Sequence, residues 1–97
     1  MPDHPDPANR QLLRGTHDQK VMLGRQVKAA RTLRGWEQSE LGARLGRSQY
    51  WISRLECGAV VLSALELLRL ASILDLPMDE LERIAWMGRS MPPRPQD

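Results

Sequence analysis

A glycine between two short amphipathic runs constrains this chain more than any other feature, and it lies in the segment QSELGARLGRSQYWISRLECG, residues 38–58. Leu41 and Leu45 are four residues apart and therefore share one face of a helix. Gly46 is expected to end that helix, since glycine adopts the left-handed conformation without strain. Gly42 lacks a Cβ and is expected to let a second helix cross closely, at about 1 kcal/mol in helix propensity relative to alanine. The first half of the segment is thus predicted to be a short helix with one buried stripe.

The second half of the segment is predicted to form another short helix that exposes a polar face. Ser48 is a favoured N-cap, and Ile52 and Leu55 then point to one side of the helix. The opposite arc carries hydrogen-bonding and cationic groups, namely Gln49, Tyr50, Ser53, Arg54 and Cys57. Small domains use this arrangement, with the second helix presented outward, to place side chains in a DNA groove.

The residues before this segment predict a first long helix. Thr16 with Gln19 three residues later is a capping-box pattern that opens it, and Gly35 ends it. Its inward face is expected to hold Leu23, Val27, Ala30 and Arg31. Residues 7–14 are predicted to form a short additional helix, because an Asp-Pro pair precedes them and a glycine follows.

Two further helices are predicted after the segment. Ser63 with Glu66 repeats the capping-box pattern. The helix that follows is expected to be buried on more than one side and to form the hub of the core, because it carries Leu65, Leu67, Leu68, Leu70, Ala71 and Leu74. Pro77 opens the last helix. The chain is therefore divided into an N-terminal arm, an all-α domain of five helices and a Pro-rich tail, at residues 1–16, 17–87 and 88–97.

The joint spacing of these residues resembles the Cro/cI-type helix-turn-helix family, also called the XRE family, and the similarity runs from Leu23 to Leu81. The matching residues are Arg31, Gln38, Leu41, Gly42, Leu45, Gly46, Ile52-Ser53-Arg54-Leu55-Glu56, Gly58, Leu70-Ala71 and Asp79-Glu80-Leu81. The resemblance implies a five-helix, lambda-repressor-like DNA-binding fold with a flexible N-terminal arm.

The resemblance also implies roles for individual residues. In that family, base edges are reached by the residues equivalent to Gln49, Tyr50 and Arg54. Phosphates are held by the residues equivalent to Gln38 and Ser48. An arginine of the first helix pairs with the glutamate that ends the recognition helix, which implies a structural ion pair between Arg31 and Glu56. The chain departs from the family pattern at Arg47, where an aliphatic side chain is usual, at Glu37, where a Ser or Thr cap is usual, and in residues 57–62, which are often basic.

Positive charge is concentrated in the half of the chain that contains the motif. Residues 21–58 hold seven basic and three acidic side chains, a net charge of +4, whereas residues 59–97 carry a net charge of −2. This is the electrostatic footprint expected of a phosphate-binding surface. Lys28, Arg44 and Arg47 are expected to add positive charge for phosphate binding, helped by Arg10, Arg14 and Lys20. Ser53 is predicted to read bases together with Gln49, Tyr50 and Arg54.

The remaining residue types give little support to catalysis, metal binding or a cofactor. Cys57 is the single cysteine, so no internal disulfide is expected, and it is interpreted as a surface residue at a helix end rather than a redox sensor. His4 and His17 have no ligand partners at helical spacing, and no glycine-rich phosphate loop is present. No signal peptide or apolar run of about 18 residues is found, so a soluble, cytoplasmic protein that is not an enzyme is expected.

These observations predict a sequence-specific, double-stranded DNA-binding transcriptional regulator, a repressor, that acts as a homodimer. The helix around residues 49–56 of each subunit is expected to enter the major groove, with half-sites about 34 Å apart on the operator. The dimer interface is predicted to involve Leu81, Ile84, Trp86 and Met87. The alternatives are an antitoxin that represses its own operon and binds a toxin, and a protein-interaction adaptor that uses Tyr50, Trp51 and residues 59–62.

Overall fold

The structure, a computed structural model, describes residues 16–90 and residue 93. Its five α-helices are α1 (His17–Leu33), α2 (Gln38–Leu45), α3 (Gln49–Glu56), α4 (Ala64–Leu74) and α5 (Met78–Ala85), and no β-strand occurs in this part of the chain. The predicted all-α class with five helices is confirmed. The helix predicted at residues 7–14 lies outside the described residues.

Helix boundaries follow the capping signals in the sequence. At the start of α1, the Thr16 Oγ1 accepts from the Gln19 N–H at 3.1 Å, and the Gln19 side chain accepts from the Thr16 N–H at 2.7 Å. Ser63 and Glu66 form the same reciprocal pair at the start of α4, with distances of 3.1 and 3.2 Å. Gly46 adopts the left-handed conformation, φ 68° and ψ 33°, at the end of α2. Both predicted capping boxes and the predicted end of α2 are confirmed.

The core is a small cluster of aliphatic side chains from the first four helices and from Leu76, two residues after α4. Its buried members are Val27, Leu41, Ile52, Leu55, Leu70, Leu74 and Leu76. α1 packs against α3, α4 and α5, while α2 packs against α3 and α4. Because the buried side chains come from facing stripes of these helices, the arrangement holds α2 and α3 in a fixed relative orientation.

The expectation that α4 is buried on more than one side is wrong. Only Leu70 and Leu74 of this helix are buried, whereas Leu65 is 64% exposed and Leu68 is 58% exposed. Leu67 is half-buried, so Leu65 and Leu68 are the leucines of α4 that lie on the surface of the single chain. The main contacts of α1 are with three helices, α3, α4 and α5, whereas the main contacts of α4 are with α1 and α2, so α1 is the more central helix.

Glycines on α1 and α2 permit close backbone approaches, though not all as expected. A Cβ at Gly24 would lie 2.6 Å from the carbonyl oxygens of both Leu55 and Glu56, so this glycine lets α1 touch the end of α3. A Cβ at Gly42 would lie 2.5 Å from the carbonyl oxygen of Arg47. Gly42 therefore accommodates the turn after α2, and the expectation that it serves a crossing helix is wrong.

α1 and α5 are joined by one side chain that serves two purposes. The Gln19 Nε2 donates to the carbonyl oxygens of Ile84 and Ala85, each at 3.0 Å. The Ile84 carbonyl also accepts from the Met87 N–H at 3.2 Å, so the amide that completes the α1 cap adds a further partner for the carbonyls at the end of α5. None of the helices in residues 16–90 has the length and apolar character needed to cross a membrane.

Candidate nucleic-acid interface

α2 and α3 form a helix-turn-helix whose second helix presents an open face. The turn consists of Gly46, Arg47 and Ser48, and the Ser48 Oγ accepts from the Trp51 N–H at 3.1 Å as the N-cap of α3. Ile52 and Leu55 are buried against the rest of the core. The other side of α3 is therefore free to carry polar side chains outward.

The outward side of α3 holds the side chains that the sequence assigned to base reading. Gln49 and Arg54 are exposed, Tyr50 is 69% exposed, and Ser53 is half-buried. Cys57 is a free, exposed cysteine just after the helix. The structure thus brings the four predicted reading residues onto one surface, with Ser53 the least accessible of them.

Arg54 is held in place by neutral groups. One guanidinium nitrogen lies 3.4 Å from the Tyr50 hydroxyl, and another donates to the Ala59 carbonyl at 3.2 Å. The guanidinium carbon lies 5.7 Å from the centre of the Tyr50 ring. Because these partners carry no negative charge, they do not neutralise the charge of the arginine on the surface of α3.

The Arg31–Glu56 ion pair predicted from the family resemblance is confirmed. The Arg31 Nε and Nη2 donate to the two carboxylate oxygens of Glu56 at 2.6 and 3.0 Å, and Nη1 donates to the Trp36 carbonyl at 2.8 Å. The hydrogen bond to Glu56, opposed by burial, raises the pKa of Arg31 above its usual value. The side chains of Arg31 and Glu56 are only 12% and 4% exposed. The pair therefore ties α1 to the end of α3 in a largely desolvated setting.

Gln38 belongs to this network as well as to the start of α2. Its side-chain Nε2 donates to a Glu56 carboxylate oxygen at 3.1 Å. The side-chain amide is thus engaged within the protein. In the first turn of α2 the Glu40 N–H donates to the Glu37 carbonyl at 3.1 Å, which leaves the N–H groups of Gln38 and Ser39 as donors for an anion. The predicted phosphate contact at Gln38 stays a prediction, with the backbone as its more available part.

Arg47 makes contacts that its sequence position did not suggest. Its guanidinium forms an ion pair with Glu66, and its guanidinium carbon lies 4.7 Å above the Trp51 ring. The pKa of Glu66 is lowered from its usual value, first by a hydrogen bond from the Ser63 backbone and also by Arg47, against the effect of burial. This pairing was not predicted from the sequence, where the only signal for it is an acid in the first turn of α4. Arg47 was predicted to contact DNA, and the structure shows that its charge is partly neutralised.

The ring of Trp36 is in contact with the guanidinium groups of two arginines, Arg34 and Arg44. The guanidinium carbons of Arg44 and Arg34 lie 4.1 and 5.8 Å from the centre of the Trp36 ring. Trp36 is half-buried and packs against the core. The indole therefore positions Arg44, a predicted phosphate contact, and Arg34, which the sequence analysis did not single out.

The remaining predicted residues are placed as follows. Lys28 is exposed on α1, Lys20 is half-buried, and Arg10 and Arg14 lie outside the described residues. The predicted dimer residues Leu81, Ile84 and Trp86 are half-buried, whereas Met87 is exposed. Within residues 16–90, no three His, Cys, Asp or Glu side chains are grouped in a way that would hold a metal ion.

Comparisons with known proteins agree with this architecture. The sequence model of the family described as a helix-turn-helix domain matches residues 22–84. A crystal structure of the restriction-modification controller protein C.AhdI from Aeromonas hydrophila is similar, with a TM-score of 0.59 and 28% sequence identity. The similarity covers 67% of this chain and 94% of that one. No curated protein matches the chain.

The family match spans all five helices, from within α1 to within α5, and includes the turn between α2 and α3. The open face of α3, its buried opposite side and the Arg31–Glu56 pair fit the pattern that the sequence resemblance implied. This chain therefore belongs to the helix-turn-helix family and is a DNA-binding regulator of the Cro/cI type.

Proposed function

We propose that the protein is a sequence-specific transcriptional repressor that binds double-stranded DNA as a homodimer and inserts α3 into the major groove. The observation that carries this proposal is the outward face of α3, where Gln49, Tyr50 and Arg54 are exposed and the two hydrogen-bond partners of Arg54 are neutral. A cationic side chain without an acidic partner is suited to a guanine edge or a phosphate.

Base reading is assigned to three side chains on α3, each with its own chemistry. Gln49 presents an amide that both donates and accepts, which matches the N6 and N7 groups of adenine. Arg54 matches the O6 and N7 acceptors of guanine, and its contacts with Tyr50 and Ala59 reduce the freedom it must lose on binding. Tyr50 offers an apolar ring to a thymine methyl group.

Phosphate binding is assigned to groups that flank α3. The first-turn N–H groups of α2 and the hydroxyl of Ser48 lie on the motif itself. Arg44 and Arg34 are positioned by Trp36, and Lys28 is exposed on α1. These groups provide the sequence-independent part of the affinity, which is sensitive to salt because counterions leave the DNA.

The homodimer is supported by the apolar side chains that the single chain leaves exposed. On α5, Met78 is 58% exposed and Met87, just beyond it, is 36% exposed. Leu65 and Leu68 of α4 are more than half exposed as well. Large apolar side chains on the surface of so small a domain favour association with a second copy, which also places two reading helices on one operator. We place the contact on α5, as the sequence predicted, and treat α4 as the competing surface.

The regulatory setting that we would test first is control of the protein's own operon. C.AhdI is a restriction-modification controller, and its similarity over 67% of this chain favours a comparable role. The adaptor alternative receives less support, because Val60 and Leu62 of the proposed partner-binding loop pack against the core of the domain.

The decisive experiment is a DNA-binding titration on the sequence upstream of the gene and on a scrambled duplex, each across a salt series. Preferential binding whose log affinity falls linearly with log salt supports the proposal. Arg54→Ala is expected to relax preference at one base position, by about 1–3 kcal/mol, while Arg69→Ala on the exposed surface of α4 serves as the charge-matched control. Absence of binding at low salt would contradict the proposal and favour the adaptor.

The dimer is tested separately by sedimentation equilibrium at concentrations that bind DNA. Met87→Asp is expected to shift the wild-type dimer to monomer with little change in folding, because Met87 lies on the surface after α5. Leu68→Asp is the matched change on α4 and is expected to leave the dimer intact. A monomeric wild-type protein would refute the homodimer, and dissociation by Leu68→Asp alone would move the interface to α4.

A further inference from the structure

The ion pair between Arg47 and Glu66 places opposite charges beside the start of the reading helix. Arg47 lies in the turn between α2 and α3, directly before the N-cap residue Ser48. Glu66 lies in the first turn of α4. One Glu66 carboxylate oxygen accepts from Arg47, and the other accepts from the Ser63 N–H at 3.2 Å. The acid is thus fixed by the capping box of α4 and cannot move with the arginine.

The ion pair between Arg47 and Glu66 is expected to contribute little to the stability of the fold. The Arg47 and Glu66 side chains are 44% and 22% exposed, so water reaches both partners. Partly exposed ion pairs contribute little to stability, because solvation and side-chain entropy offset most of the attraction. The Trp51 ring holds the guanidinium from the other side, at 4.7 Å. The arginine would therefore remain positioned on Trp51 if Glu66 lost its charge.

The location of Arg47 makes its charge relevant to DNA. The N-terminal part of a recognition helix is the part that approaches the base edges, so residues beside it lie near the backbone of the groove. The N-terminus of α3 itself favours an anion, through its free N–H groups and the helix dipole. Arg47 adds a cation at this end of the helix, and Glu66 adds a fixed negative charge next to that cation.

We propose that Glu66 limits the affinity of this domain for DNA by holding the Arg47 guanidinium in an ion pair that a backbone phosphate must displace. The proposal rests on the DNA-binding function proposed above. The ligand class is the phosphodiester anion of duplex DNA, and the residue that takes it up is Arg47. Glu66 acts through Arg47 and is expected to affect phosphate binding rather than base preference.

The test compares four variants with the wild-type chain. Glu66→Gln removes the charge and keeps the α4 cap, because glutamine also serves at this position of a capping box. Arg47→Ala and the double variant test whether any gain needs the arginine. Glu80→Gln is the matched control, since Glu80 also pairs with an arginine, Arg83 at 3.3 Å, but does so on α5. Affinities for operator and scrambled duplexes are measured across a salt series, with thermal melting of every variant.

Glu66→Gln is expected to bind both duplexes about two- to fivefold more tightly at low salt, which is the scale of an exposed ion pair. The slope of log affinity against log salt should steepen by up to about 0.9, because the contact between Arg47 and a phosphate is only partly formed while Glu66 competes for the arginine and becomes complete without that competition. The ratio of operator to scrambled binding should stay unchanged. In the Arg47→Ala background, Glu66→Gln should give no more gain than Glu80→Gln gives in the wild-type chain.

Two results would overturn the proposal while leaving the DNA-binding function in place. One is a wild-type chain that binds DNA and a Glu66→Gln variant that behaves like Glu80→Gln. The other is a gain in affinity of the same size with and without Arg47, which would reduce Glu66 to a general repulsive charge. If the wild-type chain and all variants lack salt-dependent binding, both the DNA-binding function and this proposal are refuted.

Discussion

Removing the Glu56 carboxylate is predicted to destabilise the domain severely. Glu56 is 4% exposed, accepts two hydrogen bonds from Arg31 and accepts a third from Gln38. In a Glu56→Ala chain, the Arg31 guanidinium would keep only its bond to the Trp36 carbonyl and would be left charged at 12% exposure. Loss of one partner of a buried ion pair costs about 3–5 kcal/mol, because the other charge stays desolvated without compensation.

The size of this loss is large for a domain of this length. The free energy of unfolding of a protein is typically about 5–15 kcal/mol, so this loss would remove a third or more of it in most cases. For a domain of about 60–100 residues, each kcal/mol lowers the melting temperature by about 4–8 °C. We therefore expect Glu56→Ala to melt at least about 12 °C below the wild-type chain. Circular dichroism at one fixed protein concentration measures this, which keeps any contribution of the dimer equal.

A double substitution distinguishes the effect of losing the ion pair from the effect of leaving one buried charge without a partner. Replacing Arg31 and Glu56 together by apolar residues of similar volume, Arg31→Met with Glu56→Leu, leaves no buried charge. It is expected to recover most of the stability lost in Glu56→Ala. If Glu56→Ala melts within about 3 °C of the wild-type chain, the buried pair does not have the energetic role assigned to it. Losses that simply add in the double variant would contradict the coupling between the two residues.

Three further predictions concern packing, capping and pH. Gly24→Ala is expected to destabilise by about 1–3 kcal/mol in chemical denaturation, because the new Cβ would lie 2.6 Å from two carbonyl oxygens at the end of α3, and a free energy of unfolding equal to that of the wild-type chain would contradict it. Gln19→Ala is expected to be less stable than Thr16→Ala by about 1 kcal/mol, because it alone loses the bonds to the end of α5, and equal losses would contradict it. The pKa of Glu66 is lowered in the folded chain, so its ionised carboxylate stabilises the fold at pH values above its usual pKa of 4.5. This contribution is lost as the pH falls through the pKa in the folded chain, so acid should lower the free energy of unfolding of the wild-type chain more than that of Glu66→Gln.

Much of the fold follows from signals that lie close together in the sequence. The capping boxes at Thr16 and Ser63 set the starts of α1 and α4, and Gly46 set the end of α2. Each of these depends on hydrogen bonds or dihedral angles within a few residues, so the local sequence contains all the information that is needed. The inward and outward faces of α3 were predictable for the same reason, since helical periodicity places Ile52 opposite Tyr50.

The candidate site was predicted less completely, because several of its side chains have partners far away in the sequence. Arg47 was correctly placed in the turn, but its ion pair with Glu66 joins residues 19 apart. Gln38 was predicted to hold a phosphate, and its bond to Glu56, 18 residues away, was not foreseen. Such pairings depend on how α2, α3 and α4 are oriented, which neither periodicity nor capping specifies.

The sequence alone determined the helices, their order, the reading face of α3 and, through the family resemblance, the Arg31–Glu56 pair. Only the tertiary structure showed that Gly24 is where α1 touches α3, and that α4 leaves leucines on the surface. A helix forms from interactions within one or two turns, whereas its closest neighbours depend on the packing of the whole chain. The charge that Arg47 can offer to DNA was therefore decided by the placement of α4, whose first turn brings Glu66 to the start of the reading helix.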